Sequence, residues 1–178
     1  LLTKWFGSRW QVVSVTMLLT DSDMNDIKAL SALAIDRNST LLSTTSSVVS
    51  DMAALACVAV PTSAPLRTTA FTEDVTNPTL TGFDLDMDSL TVSLTFSETV
   101  DASTLSVTDI TLRGGFGVDA TNFTLTGGDV SNTDSTIVTV TMTADDANIV
   151  KSNTGLAAAG TSDSYVFLAA DTIADMFN

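Results

Sequence analysis

Residues 89–97 read Ser89-Leu90-Thr91-Val92-Ser93-Leu94-Thr95-Phe96-Ser97, and this stretch decides the fold class. Its apolar residues alternate strictly with Ser and Thr, and in a β-strand a period of two places the two sets on opposite faces. One face is then buried and the other is in water, which is typical of antiparallel sheets that cover a core on one side. The stretch therefore predicts a half-buried antiparallel strand.

Further short strands are predicted on both sides of this stretch, with Gly-Gly pairs at 114–115 and 127–128 as breakers between them. The predicted strands cover residues 80–87, 107–112, 122–126, 137–143 and 165–168, and residues 98–104 are predicted as a turn. Short strands with turn signals about every ten residues are typical of a β-sandwich. The fold class is therefore predicted as mostly β, an antiparallel β-sandwich.

One short helix is predicted at residues 143–151. Thr143 is a good N-cap, Asp145 and Asp146 fall in the first turn, and Lys151 falls in the last. Acids near the first turn and a base near the last turn suit the helix dipole.

The same pattern occurs a second time near the start of the chain. Residues 20–28 match residues 143–151, and residues 15–17 match residues 140–142. Residues 48–52 then match 172–176 after a one-residue slip. Three matches in the same order indicate an internal repeat with a period of roughly 124 residues, each copy with one short helix.

This repeat divides the chain into three parts. Residues 1–60 are predicted as the C-terminal part of a first repeat, residues 61–76 as a linker rich in Thr and Pro, and residues 77–178 as a second repeat. The first copy contains an apolar run at 53–60 that suits a closing strand, and the second copy lacks one. A sandwich without its last strand exposes a sheet edge. We therefore expect that the polypeptide continues or that another chain supplies the strand.

The start of the chain is the predicted donor of that strand. It is rich in aromatic and β-branched residues, which favour strands. Strand addition of this kind joins pilus subunits. The expected assembly residues are Trp5, Phe6, Trp10 and Val13.

Residues 96–105 read Phe-Ser-Glu-Thr-Val-Asp-Ala-Ser-Thr-Leu. They resemble the F-S-E-x-V-[DN]-x-S-[ST]-L signature of bacterial-Ig-like repeats, which occur in surface-layer proteins, adhesins and large extracellular proteins. Residues 122–128 resemble the strand that follows in this family, and residues 175–178 resemble its terminal D-x-x-G-N. The resemblance implies immunoglobulin-like sandwich repeats that serve mostly as spacers, stalks and filament subunits. It implies no catalytic residues.

The charge of the chain excludes several classes of partner. There are 21 acidic and 7 basic side chains, which give a net charge of −14. So few Lys and Arg cannot replace the counterions of a nucleic acid or attract an anionic membrane surface. No apolar run approaches the roughly 20 residues of a membrane span. The 50 Ser and Thr residues, which stand where cytoplasmic proteins carry Lys and Glu, favour an extracellular or cell-surface location.

The sequence also predicts that the protein is not an enzyme. It has no histidine, and its single Cys57 is flanked by apolar residues, so neither a Ser-His-Asp nor a Cys-His arrangement exists. Paired carboxylates are the chemistry of glycosidases, but a small repeat offers no obvious cleft for a sugar chain.

Three carboxylates form a candidate Ca²⁺ site. Asp84, Asp86 and Asp88 recur at period two before a turn, and hard oxygen ligands suit Ca²⁺. An EF-hand is excluded because its glycine at position six and its glutamate at position twelve are missing. The two remaining interpretations are an interdomain Ca²⁺ site, with Glu73 and Asp74 as further ligands, and a solvated strand face without a cofactor.

Glycans are the other predicted modification. Asn38-Ser39-Thr40 and Asn122-Phe123-Thr124 are acceptor sequences for N-glycosylation. In a secreted eukaryotic protein we expect at least one to be used, and Asn38 is the better candidate because its loop is polar. The linker at 61–76 suits O-glycosylation, and its alternative is an ordinary extended connector.

Taken together, these patterns predict a structural subunit or segment of an extracellular filament, stalk or surface layer. Its partners would be copies of itself or neighbouring Ig-like repeats, joined head to tail by strand complementation or by covalent tandem linkage. The alternative is an adhesive module that recognises a glycan or a protein, with or without Ca²⁺. A filament subunit polymerises alone, whereas an adhesin stays monomeric and needs its ligand.

Overall fold

The computed structural model describes residues 14–117, 119–157 and 164–177. These residues form antiparallel sheets and two short α-helices, which confirms the prediction of a mostly β chain. In chain order the elements are α1 (Asp21–Lys28), β1 (Leu41–Leu42), β2 (Leu66–Arg67), β3 (Leu80–Asp86), β4 (Thr91–Asp101), two 3-10 helices (Ala102–Thr104 and Val107–Asp109), β5 (Ile110–Arg113), β6 (Asn122–Thr124), β7 (Gly128–Val130), β8 (Ser135–Met142), α2 (Ala144–Ser152), β9 (Tyr165–Leu168) and β10 (Ala174–Asp175). In this described part of the chain, neither helix is long and apolar enough to cross a membrane.

The strand β4 contains most of the alternating stretch and lies at the centre of the larger sheet. It pairs with β3 on one side and with β8 on the other, β8 pairs with β7, and β10 pairs with the last residues of β4. Val92, Leu94 and Phe96 are buried, and the Ser and Thr residues between them are only partly covered. The alternation therefore buries the apolar face of β4 and leaves its Ser and Thr face partly exposed, as predicted.

The smaller sheet places β5 between β6 and β9. Buried side chains from both sheets and from α2 belong to one core. All buried apolar residues of the described chain lie between Val92 and Leu156. The core therefore belongs entirely to the second half of the sequence.

The predicted helix at 143–151 is confirmed as α2. The Thr143 side chain accepts a hydrogen bond from the Asp146 backbone N–H at 3.1 Å. The buried Asp146 carboxylate accepts two more, from the Thr126 backbone N–H at 2.8 Å and from the Thr126 hydroxyl at 2.7 Å. Together with Ala147 and Val150, which are buried in the core, these bonds fix the helix against the sheets.

Two local predictions are wrong. The predicted turn at 98–104 begins only at Ala102, because β10 and β8 both pair with Val100 and so extend β4. The predicted breaker at Gly128 is instead the first residue of β7. A Cβ atom there would lie 2.6 Å from the Thr141 carbonyl oxygen, so the close approach of the two strands needs glycine at that position.

Residues 14–76 have much less regular structure. Besides α1 they contain the two-residue pair β1–β2 and two isolated bridges, Thr44 to Val60 and Ser50 to Ala56. The apolar run at 53–60 therefore pairs at only two positions, and β2 lies inside the predicted linker. No residue of this region is buried. The division into two repeats stays a prediction.

Candidate assembly interface

The helix α1 lies against the end of β4. Thr99 donates its backbone N–H to the Asn25 side-chain oxygen at 3.2 Å and its hydroxyl to the Asn25 carbonyl oxygen at 3.0 Å. Thr99 is 2% exposed, so these bonds are shielded from water. Residues three apart share a helix face, and Lys28 therefore points to the same side as Asn25.

Lys28 forms ion pairs with Asp74 and Glu98. The Lys28 side chain is 12% exposed and that of Glu98 is 10% exposed, so both charges are largely withdrawn from water. Burial opposes the charge of Lys28, but the hydrogen bonds and charges of the two carboxylates outweigh it and raise the pKa of Lys28 above 10.5. The hydrogen bond from Lys28, followed by that from the Thr76 backbone, lowers the pKa of Asp74 below 3.8.

A third carboxylate completes this group. Oxygen atoms of Asp74, Glu98 and Asp175 lie within 4.8 Å of one another, a spacing that could hold a metal ion. The Lys28 ammonium group donates to two of the three, so a cation of the protein itself already lies there. We call this set the joint; its residues are Asn25, Lys28, Asp74, Glu98, Thr99 and Asp175.

The internal repeat contains a signal for the joint. Asn25 and Lys28 match Asn148 and Lys151 in the internal repeat, although neither pair is needed for a helix. Glu98 and Thr99 lie within the ten-residue signature, but the sequence alone did not indicate that α1 would lie against them.

The three predicted Ca²⁺ ligands lie elsewhere. Asp84 and Asp86 are on the exposed side of β3, and Asp88 is in the turn that follows. Asp86 accepts hydrogen bonds from the backbone N–H groups of Asp88 at 2.8 Å and Ser89 at 3.1 Å. The bonds from Ser89, and then that from Asp88, lower the pKa of Asp86. Asp86 thus closes the β3–β4 turn, and Ca²⁺ binding at these residues stays a prediction.

Both predicted N-glycosylation sites are on the surface. Asn38 is exposed, and its side-chain oxygen accepts a hydrogen bond from Arg67 at 3.0 Å. Asn122 is exposed on β6 and donates its amide to the Ala120 carbonyl oxygen at 3.1 Å. Their occupancy by glycans stays a prediction, as does O-glycosylation of residues 61–76.

The smaller sheet has an edge at β9. This strand pairs with β5 through its four residues, and Phe167 on it is 55% exposed. The predicted donor residues Trp5, Phe6, Trp10 and Val13 lie outside the described residues.

Residues 14–76 carry a large apolar surface. Among the described residues, 21 large apolar side chains are exposed, and 17 of them lie in this region. The exposed fractions of Met52, Leu18 and Val58 are 102%, 92% and 91%. We call these 17 residues the apolar surface; they are Val15, Met17, Leu18, Leu19, Met24, Leu30, Leu33, Ile35, Leu41, Leu42, Val48, Val49, Met52, Leu55, Val58, Leu66 and Val75.

A cleft of about 370 Å³ lies beside the joint, between α1, residues 71–74 and Phe177. Met24 and Ile27 line it, and the internal repeat aligns them with Ala147 and Val150. Ala147 and Val150 are buried in the core, so Met24 and Ile27 lie at the helix positions that α2 buries.

The chain matches none of the family models, curated proteins or solved structures with which it was compared. Its function is therefore inferred from the joint, the edge of β9 and the apolar surface.

Proposed function

We propose that this chain is a structural segment of an extracellular filament, stalk or surface layer, in which Ig-like sandwich repeats are joined head to tail. The observation that carries the proposal is the apolar surface. Residues 14–76 bury no side chain and expose 17 large apolar ones, whereas every buried apolar side chain of the described residues lies between Val92 and Leu156.

An exposed surface of this kind favours association. Exposed apolar side chains scattered singly are normal, but 17 of the 21 large ones among the described residues fall within residues 14–76. Covering one large aliphatic side chain completely contributes about 1.5–3 kcal/mol. A partner that covers several residues of the apolar surface therefore offsets the entropy lost on association, and the partner we propose is a neighbouring Ig-like repeat.

The edge of β9 supports completion by an added strand. The internal repeat aligns β1 with the start of β9, and β1 already has an antiparallel partner in β2, with Leu42 opposite Leu66. A strand added to β9 would reproduce this pairing in the second copy. We propose the segment containing Trp5, Phe6, Trp10 and Val13, from a neighbouring copy, as that strand.

An extracellular location fits the surface chemistry. The chain has 50 Ser and Thr residues, 16% charged residues and no histidine. The exposed Asn38 and Asn122 side chains provide sites for glycans.

The test is electron microscopy of the native material, with the intact mass measured on the same sample. We expect filaments or sheets whose repeating subunit contains this chain. In purified protein, the variant W5S/W10S should remain dispersed. The control variant I137S, which removes an exposed apolar residue of β8, should assemble like the original chain.

Monodisperse particles from the unsubstituted chain would contradict the proposal and favour the adhesive module. Assembly that is unchanged in W5S/W10S would reject the strand donor.

A further inference from the structure

The two α-helices of the described residues are built alike. In each, a threonine side chain accepts a hydrogen bond from the backbone N–H three residues later, at 3.1 Å for both Thr20 and Thr143. Each helix carries acids in its first turn and a lysine in its last, Lys28 in α1 and Lys151 in α2. α2 can therefore be compared with α1 position by position.

On α1, the face formed by Asn25 and Lys28 is occupied. It contacts what we call the acceptor corner, which consists of Asp74, Glu98 and Thr99. Thr99 bonds with Asn25, and the two carboxylates bond with the ammonium group of Lys28. This contact joins a helix of the first half of the sequence to a strand of the second half.

On α2, the equivalent face is open. Asn148 and Lys151 are both exposed, whereas Ala147 and Val150 are turned into the core. In the part of the chain that the structure describes, no hydrogen bond or ion pair joins the side chain of Asn148 or Lys151 to another residue. α2 thus presents the same amide and ammonium groups that α1 uses.

The geometry points to the α2 face, Asn148 and Lys151, as a docking site for the acceptor corner of another Ig-like repeat. The inference rests on the proposed function and deepens it, because it names the contact between successive repeats. The partner is defined by its chemistry: two carboxylates around the lysine and a threonine that bonds with the asparagine. Charge favours this partner, since the acceptor corner is anionic and Lys151 is one of only 7 basic residues against 21 acidic ones.

The acceptor corner of the unsubstituted chain is filled by its own α1, so the test uses a probe chain whose corner is open. The probe is this chain with N25A/K28A/N148A/K151A, which frees the corner and removes the competing α2 face. It is labelled with ¹⁵N and mixed with unlabelled, unsubstituted chain. A carbodiimide then joins contacting lysine and carboxylate side chains, and mass spectrometry identifies the joined peptides.

We expect a mixed-isotope cross-link between Lys151 of the unsubstituted chain and Glu98 or Asp74 of the probe. The Lys28–Glu98 cross-link within the unsubstituted chain is the positive control for the reagent. Replacing the partner by N148A/K151A should lower the mixed product at least tenfold. In K151R the cross-link should vanish because a guanidinium does not react, while sedimentation of the mixed complex should persist.

An unchanged melting temperature of the probe shows that it is folded, because none of the four substituted residues belongs to the core. Absence of the mixed cross-link while Lys28–Glu98 forms would overturn the docking site, as would Lys151 cross-links spread over many carboxylates of the probe. Filaments of the unsubstituted chain together with no mixed cross-link to the probe would overturn the docking site alone. Failure of the unsubstituted chain to assemble at all would instead contradict the proposed function.

Discussion

Lys28 shows how a single residue determines the position of an element. α1 buries no side chain, so it has little apolar contact to hold it against β4. Its attachment depends on the ion pairs of Lys28 and on the hydrogen bonds between Asn25 and Thr99. Hydrogen bonds to charged groups contribute about 1.5–3 kcal/mol each when one partner is removed.

We therefore expect K28M to release α1 from β4 at neutral pH. The measurement is the amide chemical shift of Thr99, whose N–H bonds with Asn25 in the docked state. K151M, which removes the exposed matching lysine, is the control and should leave this shift unchanged. Identical shifts in K28M and the unsubstituted chain would show that the ion pairs do not hold the helix.

The docking of α1 should also depend on pH. Because the pKa of Asp74 is lowered below 3.8, the pair stabilises docking above that pH and loses this contribution as the pH falls below it. Because the pKa of Lys28 is raised above 10.5, the contribution persists up to that pH and is lost as the pH rises further. The Thr99 amide shift should stay constant from about pH 4 to pH 10 and approach that of K28M outside this range. A transition near neutral pH would contradict this assignment.

Gly114 lies where two segments of backbone approach each other closely, which the sequence did not predict. A Cβ atom there would lie 1.9 Å from the Gly155 carbonyl oxygen, so the end of β5 and the loop after α2 approach too closely for any side chain. We expect G114A to lower the free energy of unfolding by about 1–3 kcal/mol. G82A is the matched control, since a Cβ atom at Gly82 meets nothing within 4 Å. Equal melting temperatures for the two variants would be inconsistent with this close approach.

At the scale of elements, strands with a strong local pattern could be predicted and short ones could not. β4 and α2 were predicted because alternation and capping residues lie within their own sequences. β7, β2 and β10 have only two or three residues each. β2 and β10 form because a more distant strand pairs with them, and β7 forms by pairing with the next strand, β8. No period exists in so short a segment.

The joint could not be predicted for a similar reason. It combines residues from a helix, from the linker and from the end of a strand. In the sequence, Lys28 is 46 residues from Asp74 and 70 residues from Glu98. The sequence did contain each component: the two matching helices and the Glu98-Thr99 signature. No pattern in the sequence indicated that α1 would contact Glu98 and Thr99.

The two N-caps should differ in their effect on stability. Removing a threonine cap costs a helix about 1 kcal/mol. T143A should lower the melting temperature, because α2 buries Ala147 and Val150 in the core. T20A should leave the melting temperature unchanged and only increase hydrogen exchange in α1, which buries nothing. A fall in melting temperature for T20A equal to that for T143A would show that α1 belongs to the same cooperative unit.

At the scale of the whole molecule, residues 92–156 contain the buried apolar side chains, whereas residues 14–76 contain none. We expect the variant L18S/M52S/V58S, at the three most exposed positions of the apolar surface, to reduce self-association in sedimentation velocity. Its melting temperature should be unchanged, because the core lies between residues 92 and 156. The single variant I137S, on the outer face of β8, is the control and should associate normally. Association that is unaffected by the triple variant would show that the apolar surface is not the contact.

The joint also has a mechanical consequence. It links positions 28 and 98 directly, so a pulling force on the two ends of the chain passes through Lys28 and Glu98 and bypasses the residues between them. When the ion pairs break, residues 29–78, which precede β3 and bury no side chain, become free to extend. At about 3.4 Å per residue, this segment provides on the order of 170 Å of slack. In a stalk under tension, the joint would act as a sacrificial bond: it yields first, dissipates the load and leaves the core intact.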